Sequence, residues 1–294
     1  MKVFIAGGTG FVGNLLTEEL RSRGHALVLL SHNRRSTTET GVSYVTGDVA
    51  LPAGYAAALQ GCDAVINLVG IIREFPSKGI TFERLHVEAT AGMVQAAQQA
   101  GVQRYLQMSA LGTRSDAVSQ YHRTKWRAEE IVRSSGLAWT IFRPSLIFGP
   151  KDAFVNMLAA NLRLAPIMPT FGDGNYRLQP IHGRDVARCF ADALERPETV
   201  GQTYELCGQD RLTYRELLDT IAEAIGKGRP FKPALPLVIM QPLIKALQVF
   251  SAFPITSDQL QMLVEENICN GCWQETFGFT PIRLQEGIRE YLSR

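Results

Sequence analysis

Short apolar runs alternate with amphipathic stretches through the first half of the chain. Continuous apolar runs of roughly four to eight residues are typical of strands buried on both faces, and apolar residues spaced about three to four apart are typical of helices. The pattern predicts strands at residues 2–6, 26–30, 42–45, 64–69, 104–109 and 139–143, and helices at 11–23, 81–100 and 120–134. Strands joined through helices imply right-handed crossovers, so we expect an α/β fold with a doubly wound parallel sheet.

The rhythm changes after Gly149-Pro150, where prolines become frequent and the strand–helix alternation weakens. Helices are predicted at residues 184–195 and 213–225, and residues 230–254 are apolar with repeated prolines. No internal repeat or flexible linker separates the two halves. We therefore expect a first domain at residues 1–150, to which parts of 178–207 return, and a smaller C-terminal lobe at 151–294.

Composition narrows the function classes. Of the 294 residues, 46% are hydrophobic and 20% are charged, which is ordinary for a globular protein. The net charge of +2 gives no reason to expect nucleic-acid binding. Gly7 interrupts the N-terminal apolar run, and no run approaches the roughly 18 residues of a membrane span. With five cysteines, a reducing compartment is the simpler expectation, so we predict a cytoplasmic protein.

A glycine-rich turn follows the first predicted strand and opens the first helix. It contains the sequence Gly-Gly-Thr-Gly-Phe-Val-Gly at residues 7–13. Glycines at such a turn allow tight bending, close approach of a pyrophosphate to the backbone and close helix–strand packing, and the helix N-terminus offers free N–H groups. Because no Lys-Ser or Lys-Thr follows, a Walker-type loop is excluded. The residues predicted to hold a dinucleotide here are Gly7, Thr9, Gly10, Phe11, Val12 and Gly13.

The end of the second strand favours one dinucleotide over another. An NAD site needs an acidic residue for the ribose 2′-hydroxyl, but residues 20–38 contain no Asp or Glu. His32, Arg34 and Arg35 stand there instead, and guanidinium groups suit a 2′-phosphate. We predict NADP(H) as the preferred cofactor, with NAD(H) as the alternative. The plainer interpretation is that both arginines are a solvated loop pair.

Two further strand ends are candidates for cofactor contact. Asp48 and Val49 follow the third strand, where Asp48 could accept a hydrogen bond from the adenine amino group. Its alternative role is that of a turn or cap residue. Val69 and Gly70 end the fourth strand, and Gly70 suits close approach of a ligand to the backbone.

A Tyr-x-x-x-Lys pair lies on the third predicted helix. Tyr121 and Lys125 are four residues apart, which places them on one helix face. A nearby ammonium favours the phenolate and lowers the tyrosine pKa, and Lys125 could also hold the nicotinamide ribose. Ser109, at the end of the fifth strand, could polarise a substrate carbonyl. The alternative is an exposed helical tyrosine with a solvated lysine.

Together, residues 7–13, Asp48, Ser109, Tyr121 and Lys125 resemble the extended or atypical branch of the short-chain dehydrogenase/reductase family. Within this branch, the segment Asn-Leu-Val-Gly-Ile-Ile at 67–72 and the apolar C-terminal lobe are most similar to the NAD(P)H-binding accessory subunit of respiratory complex I and its bacterial relatives. The resemblance implies a Rossmann-type sheet of about seven strands. It also implies that the segment after the sixth strand, with Pro144 and Ile147, lines the nicotinamide side.

Some residues depart from the family or carry weaker alternatives. Many extended members have an Asn where this chain has the segment His-Val-Glu-Ala-Thr at 86–90, which puts an intact proton relay in question. The single Cys-x-x-C pair at Cys269 and Cys272 lacks a second pair or a spaced histidine, so no metal site is expected. The remaining cysteines, Cys62, Cys189 and Cys207, are predicted to be packing residues. Three polar residues of the second half, His182, Arg184 and Arg177, are alternative substrate contacts, and for His182 and Arg184 structural hydrogen bonding is the other interpretation.

Two functions follow from these residues. The first is a short-chain dehydrogenase-like oxidoreductase or epimerase that acts on a carbonyl or hydroxyl carbon of a small molecule, with Ser109, Tyr121 and Lys125 as its acid–base residues. The second is a non-catalytic NADPH-binding accessory or assembly factor of a respiratory or membrane complex. An apolar stripe at residues 243–250 is the kind of pattern that most often forms core, but under the second function it would contact a protein partner or the surface of the inner membrane, without crossing it.

Overall fold

A computed structural model describes residues 1–35, 40–248 and 255–293. It divides into two compact units. The first unit comprises Met1–Arg143 and Val186–Tyr204, and the second comprises Pro144–Asp185 and Glu205–Arg294.

The strands are, in chain order, β1 (Lys2–Ala6), β2 (Ala26–Ser31), β3 (Val42–Thr46), β4 (Ala64–Asn67), β5 (Arg104–Met108), β6 (Ala138–Pro144), β7 (Ile147–Phe148), β8 (Thr170–Phe171), β9 (Arg177–Leu178), β10 (Ile181–His182), β11 (Gln202–Leu206), β12 (Leu212–Thr213) and β13 (Ala234–Leu235). The helices are α1 (Phe11–Ser22), α2 (Ala89–Gln99), α3 (Gln120–Arg133), α4 (Phe154–Leu164), α5 (Gly183–Glu195), α6 (Tyr214–Ala224), α7 (Leu237–Leu247), α8 (Ser257–Val264), α9 (Trp273–Phe277) and α10 (Leu284–Leu292).

Seven parallel strands form one sheet in the order β11–β6–β5–β4–β1–β2–β3. This confirms the predicted doubly wound Rossmann-type sheet. From β1 the chain proceeds outward through β2 and β3, and then returns to build the other half from β4. The order therefore reverses between β1 and β4, and in open α/β sheets ligands bind at such a switch point, beyond the carboxyl ends of the strands.

The core of the first unit lies between the sheet and its helices. Strand β1 is buried along most of its length, with Phe4 fully inaccessible to solvent, because both faces of a parallel sheet are covered. The helix predicted at 81–100 begins with a π-helical segment, Glu83–Glu88, that runs directly into α2. Helix α3 begins at a side-chain cap, since the Ser119 hydroxyl accepts a hydrogen bond from the His122 backbone N–H.

The second unit has a separate apolar core beneath α4, α6 and α10. Its centre contains Phe148, Leu158, Leu217 and Ile288, all nearly or fully inaccessible to solvent. Paired short strands, such as β7 with β10 and β9 with β12, complete the unit.

One cysteine prediction is wrong. Cys207 is not a simple packing residue, because it forms a disulfide with Cys269, 62 residues away in the sequence. The pairing runs against the expectation of a purely reducing environment. It also leaves Cys272, the other half of the Cys-x-x-C pair, as an exposed free thiol.

Helix α7 contains most of the apolar stripe predicted at 243–250, whose last residues, Val249 and Phe250, lie outside the described residues. The stripe is not a core element, because Ile244 is the one buried residue of the helix. In the described ranges, no helix combines the length and apolarity that crossing a membrane requires.

Candidate cofactor and acid–base site

Residues predicted to act together follow the carboxyl ends of neighbouring strands. The glycine turn follows β1, the arginine pair follows β2, Asp48 follows β3, Gly70 follows β4 and Ser109 follows β5. Since the strands are parallel, all five positions belong to one edge of the sheet.

The glycine turn has the geometry of a phosphate cradle. Gly7 has a φ of +80°, a conformation that side-chain-bearing residues rarely adopt. A Cβ on Gly13 would lie 2.2 Å from the Gly7 carbonyl oxygen, so α1 packs against the strand backbone without space for a side chain. No side chain caps α1 at Gly10, and the N–H groups of its first turn have no intrahelical acceptors.

The residues after β2 are accessible. His32, Arg34 and Arg35 are all exposed at the carboxyl end of that strand, beside the residue that closes it, Ser31, which is buried. Their side chains are therefore available to an anionic ligand.

Asp48 takes the turn role that the sequence left open, and both of its carboxylate oxygens have protein partners. One carboxylate oxygen accepts a hydrogen bond from the Ala50 backbone N–H at 2.9 Å, which forms a local turn. The other accepts from the Arg84 guanidinium at 2.5 Å. Val49 is buried behind this turn. Arg84 was not singled out by the sequence, because it pairs with a residue 36 positions away.

Lys125 connects two strand ends. Its ammonium donates hydrogen bonds to the Val69 carbonyl at 3.1 Å and to the Met108 carbonyl at 3.2 Å. A Cβ on Gly70 would lie 2.9 Å from the Lys125 Nζ, so glycine leaves room for this ammonium at the end of β4. The predicted positions Gly70, Lys125 and Ser109 are thus brought to the same place, since Ser109 directly follows Met108.

Burial makes the Lys125 charge costly. The side chain is 2% exposed. Loss of hydration lowers the pKa of the Lys125 ammonium to about 8, and the negative charge of Glu129 one turn along α3 opposes this shift. Glu129 is itself fully buried between two guanidinium groups, those of Arg133 and Arg143.

The Tyr121 ring is surrounded by other aromatic rings. Its ring makes edge contacts with Phe82, His86 and His122 at centroid distances of 5.8, 5.4 and 5.2 Å. Burial raises the pKa of the Tyr121 phenol to about 12. This direction is opposite to the lowering expected from a neighbouring lysine, because burial takes water away from the phenol and disfavours the charged phenolate.

Ser109 is buried at the end of β5. Its backbone N–H donates to the Phe142 carbonyl at 2.7 Å, which fixes it between β5 and β6. Its hydroxyl donates to the Thr113 hydroxyl at 3.3 Å.

His86 also belongs to this site, although in the sequence it stands out only as part of a segment that departs from the family pattern. Its Nδ1 lies 2.9 Å from the Thr124 hydroxyl, and its Nε2 accepts a hydrogen bond from the Ile71 backbone N–H at 3.2 Å. The second bond assigns the ring as neutral with the proton on Nδ1. Burial, and then the Lys125 charge, lower the pKa of His86 to about 2, which keeps it neutral. His86 therefore joins α3 to the backbone just after Gly70.

The remaining predicted residues lie in the second unit. Pro144 ends β6 and is buried, and Ile147 begins β7 and is half-buried. The three alternative substrate contacts have protein partners: Arg177 forms a bidentate pair with Glu266, Arg184 pairs with Glu290, and His182 accepts from the Arg184 backbone N–H.

The first unit fits a dinucleotide. A Cβ at Gly7 or Gly13 would press against neighbouring backbone, so the tight turn requires glycine there, and the cations beyond β2 and at Lys125 lie on opposite sides of β1. Residues of this type suit a pyrophosphate at the helix N-terminus. Within the described ranges, no group of three or more His, Cys, Asp or Glu side chains is placed to hold a metal ion.

Comparison with known families agrees with this fit. A family model described as NAD(P)H-binding matches residues 7–197. The chain belongs to this NAD(P)H-binding family. The matched span contains the whole glycine turn, Asp48, Ser109, Tyr121 and Lys125.

Relatives of this family member fall into two groups. The 40 kDa subunit of mitochondrial NADH-ubiquinone oxidoreductase from Neurospora crassa is 26% identical, over 86% of this chain and 68% of that protein. For alpha subcomplex subunit 9 of NADH dehydrogenase from four other organisms, the chain spans between 56% and 62% of the relative's length. The NAD(P)H azoreductase of Xenophilus azovorans is 26% identical, over 76% of this chain and 74% of the enzyme.

Solved structures share the fold at low sequence identity. MoeE5, solved in complex with UDP-glucuronic acid and NAD, superimposes with a TM-score of 0.78 at 21% identity, covering 99% of this chain and 98% of that one. At this identity the likeness shows the Rossmann-type fold and no more.

Proposed function

We propose that this chain is an NADP(H)-dependent oxidoreductase of the short-chain dehydrogenase type that acts at a carbonyl or hydroxyl carbon. One observation carries the proposal. The Lys125 ammonium donates to carbonyls at the ends of both β4 and β5, so that Lys125, Gly70 and Ser109 meet at the carboxyl edge of the sheet that holds the glycine cradle.

The chain's own residues would divide the work. The glycine turn would let the pyrophosphate approach the N–H groups in the first turn of α1, and Lys125 would donate to the nicotinamide ribose. When bound, the nicotinamide supplies the hydride chemistry. Tyr121 would give or take the proton at the substrate oxygen, while Ser109 would donate a hydrogen bond to that oxygen. His86, held neutral, would keep the backbone after Gly70 in place.

The preference for NADP(H) rests on the exposed cations after β2. Arg34 and Arg35 stand where an acidic residue would hold an NAD ribose, and charge-assisted bonds to a phosphate are worth about 1.5–3 kcal/mol. We expect Arg34→Glu to weaken NADPH binding at least about tenfold and to leave NADH binding unchanged, measured by titration of bound-cofactor fluorescence. Lys151→Glu, an equal charge change at an exposed residue of the second unit, is the control. Equal wild-type affinities for NADPH and NADH would contradict the preference.

The acid–base role is tested by Tyr121→Phe, which removes one hydroxyl from the aromatic surround. We expect oxidation of bound NADPH by a panel of aldehyde, quinone and azo substrates to fall about 10²-fold or more, while NADPH affinity changes little. Unchanged turnover in the variant would contradict the role of Tyr121. Loss of cofactor binding in the variant would show instead that the phenol holds the ribose.

A second candidate function is that of an NADP(H)-holding accessory or assembly factor of a respiratory complex, bound to protein partners at a membrane surface. The burial of Tyr121 favours it, because a phenol with a pKa of about 12 gives up a proton poorly at neutral pH. Similarity to complex I subunits points the same way. The test is to load wild-type protein with one equivalent of NADPH and add each substrate of the panel. If the bound NADPH is not oxidised by any of them, the accessory function replaces the enzymatic one.

A further inference from the structure

The outward face of α7 is apolar, in contrast to an ordinary surface helix. Its side chains are strongly exposed, with Val238 at 84%, Ile239 at 62% and Leu243 at 44%. At about 100° per residue, the exposed apolar positions share an arc of about 140°. These positions are Val238, Ile239, Pro242, Leu243 and Ala246.

The opposite side of α7 packs against the protein, which fixes the face that the helix exposes to solvent. Ile244 is fully buried, and Met240 and Leu247 on the same side are half-buried. The exposed apolar arc is bordered on one edge by Gln241 and Lys245. A second exposed apolar pair precedes α7 in the chain. Ile167 and Phe231 form an isolated β-bridge and are 52% and 68% exposed.

The chain segment that contains α7 carries charge of one sign, and the nearest acidic residues in the sequence, Glu223 and Asp258, lie just outside it. Residues 224–257 contain no Asp or Glu and four basic residues, Lys227, Arg229, Lys232 and Lys245. Lys232 is neutralised by Asp219. In the part of the chain that the structure describes, Lys227, Arg229 and Lys245 are exposed and make no ion pair.

We propose that α7 is a membrane-surface anchor, which lies in the plane of an anionic lipid bilayer with its apolar arc among the acyl chains and its cations at the headgroups. A helix that presents an apolar face with a lysine at its edge, in a segment with two further exposed cations, matches both components of such a surface. A second copy of the chain is a poorer occupant, because a two-fold contact pairs the same surface on both copies and so offers the exposed cations of this segment no acidic partner from that segment. The inference goes beyond the proposed function and stands whether or not the protein turns over a substrate.

The test is flotation of the full chain with vesicles, either of phosphatidylcholine alone or of equal parts phosphatidylcholine and phosphatidylglycerol. We expect flotation with the anionic vesicles only, and its loss in high salt. The double variant Val238→Ser/Ile239→Ser should weaken partitioning about tenfold or more, and the control Val118→Ser, at a 62% exposed valine of the first unit, should not.

Charge is tested separately with a matched pair of lysines. Lys245→Gln removes one cation beside the apolar arc and should weaken partitioning about fivefold. Lys151→Gln removes one exposed cation elsewhere in the second unit and should leave partitioning unchanged. Unchanged NADPH affinity and thermal unfolding show that each variant is folded.

Three results would overturn the proposal. Wild-type protein that does not float with anionic vesicles has no such anchor. If the protein floats equally well with neutral vesicles, and Lys245→Gln does not change this, then anionic headgroups are not what α7 recognises and that part of the proposal is wrong. Wild-type protein that elutes as a dimer, becomes monomeric in the Val238→Ser/Ile239→Ser variant and does not float would assign the surface to a second copy of the chain.

Discussion

Replacement of Lys125 by methionine tests the electrostatics of the site directly. The folded protein holds this ammonium with a pKa of about 8, against an ordinary value of 10.5. Between these values the unfolded chain keeps a proton that the folded chain has released, so raising the pH stabilises the fold. At low pH, where Lys125 is charged in both states, the shift in its pKa lowers the free energy of unfolding by about 3 kcal/mol. Between pH 7 and pH 9.5 about 2 kcal/mol of this loss should be recovered.

The assay is urea unfolding of cofactor-free protein at several pH values across that window. The free energy of unfolding of wild type should rise with pH relative to that of Lys125→Met, which lacks the titrating group. Other groups whose pKa changes on folding, such as the Cys62 thiol, whose pKa burial raises, are common to both proteins and cancel. Lys151→Met, at an exposed lysine, should track wild type.

Two results would refute this reasoning. If wild type and Lys125→Met show the same dependence on pH, the ammonium is not desolvated as the structure has it. If the variant is destabilised by several kcal/mol at pH 7, the hydrogen bonds to the Val69 and Met108 carbonyls outweigh the cost of the buried charge, since their removal leaves two acceptors unsatisfied.

Further outcomes concern the cradle and the disulfide. Gly13→Ala should abolish NADPH binding and lower the free energy of unfolding by about 3 kcal/mol, because its Cβ would meet backbone atoms that cannot move aside. Gly228→Ala, where nothing lies within 4 Å, is the control for both titration and urea unfolding. Cys207→Ser should lower the free energy of unfolding by about 4 kcal/mol through loss of a cross-link that spans 62 residues, and dithiothreitol should do the same to wild type. Cys272→Ser is the control and should leave both the free energy of unfolding and its response to dithiothreitol unchanged. If dithiothreitol does not change the stability of the wild-type protein, the Cys207–Cys269 pairing is wrong.

The sheet and the cradle were predictable because their causes are local. Short apolar runs define strands, and a glycine turn between a strand and a helix has few other uses. The edge at which Asp48, Gly70 and Ser109 meet follows from parallel strand order alone, without knowledge of any side-chain contact.

The energetic state of the site could not be predicted in the same way. The burial of Lys125 depends on parts of the chain that are distant in sequence. Its two acceptors, the Val69 and Met108 carbonyls, lie 56 and 17 residues away. The Tyr121 surround likewise depends on Phe82 and His86, which precede α2. The disulfide is a further case, since cysteine spacing does not reveal connectivity.

The buried carboxylate of Glu129 has a consequence for how the protein responds to a ligand. It accepts from Arg133 on its own helix and from Arg143 on β6, and both guanidinium groups lie over the Trp126 ring. This clamp pins the C-terminal half of α3, so the helix cannot roll or slide to adjust Tyr121 and Lys125. Any adjustment to an incoming nucleotide is therefore expected in the segment that directly follows Gly70, which the His86 ring links to α3.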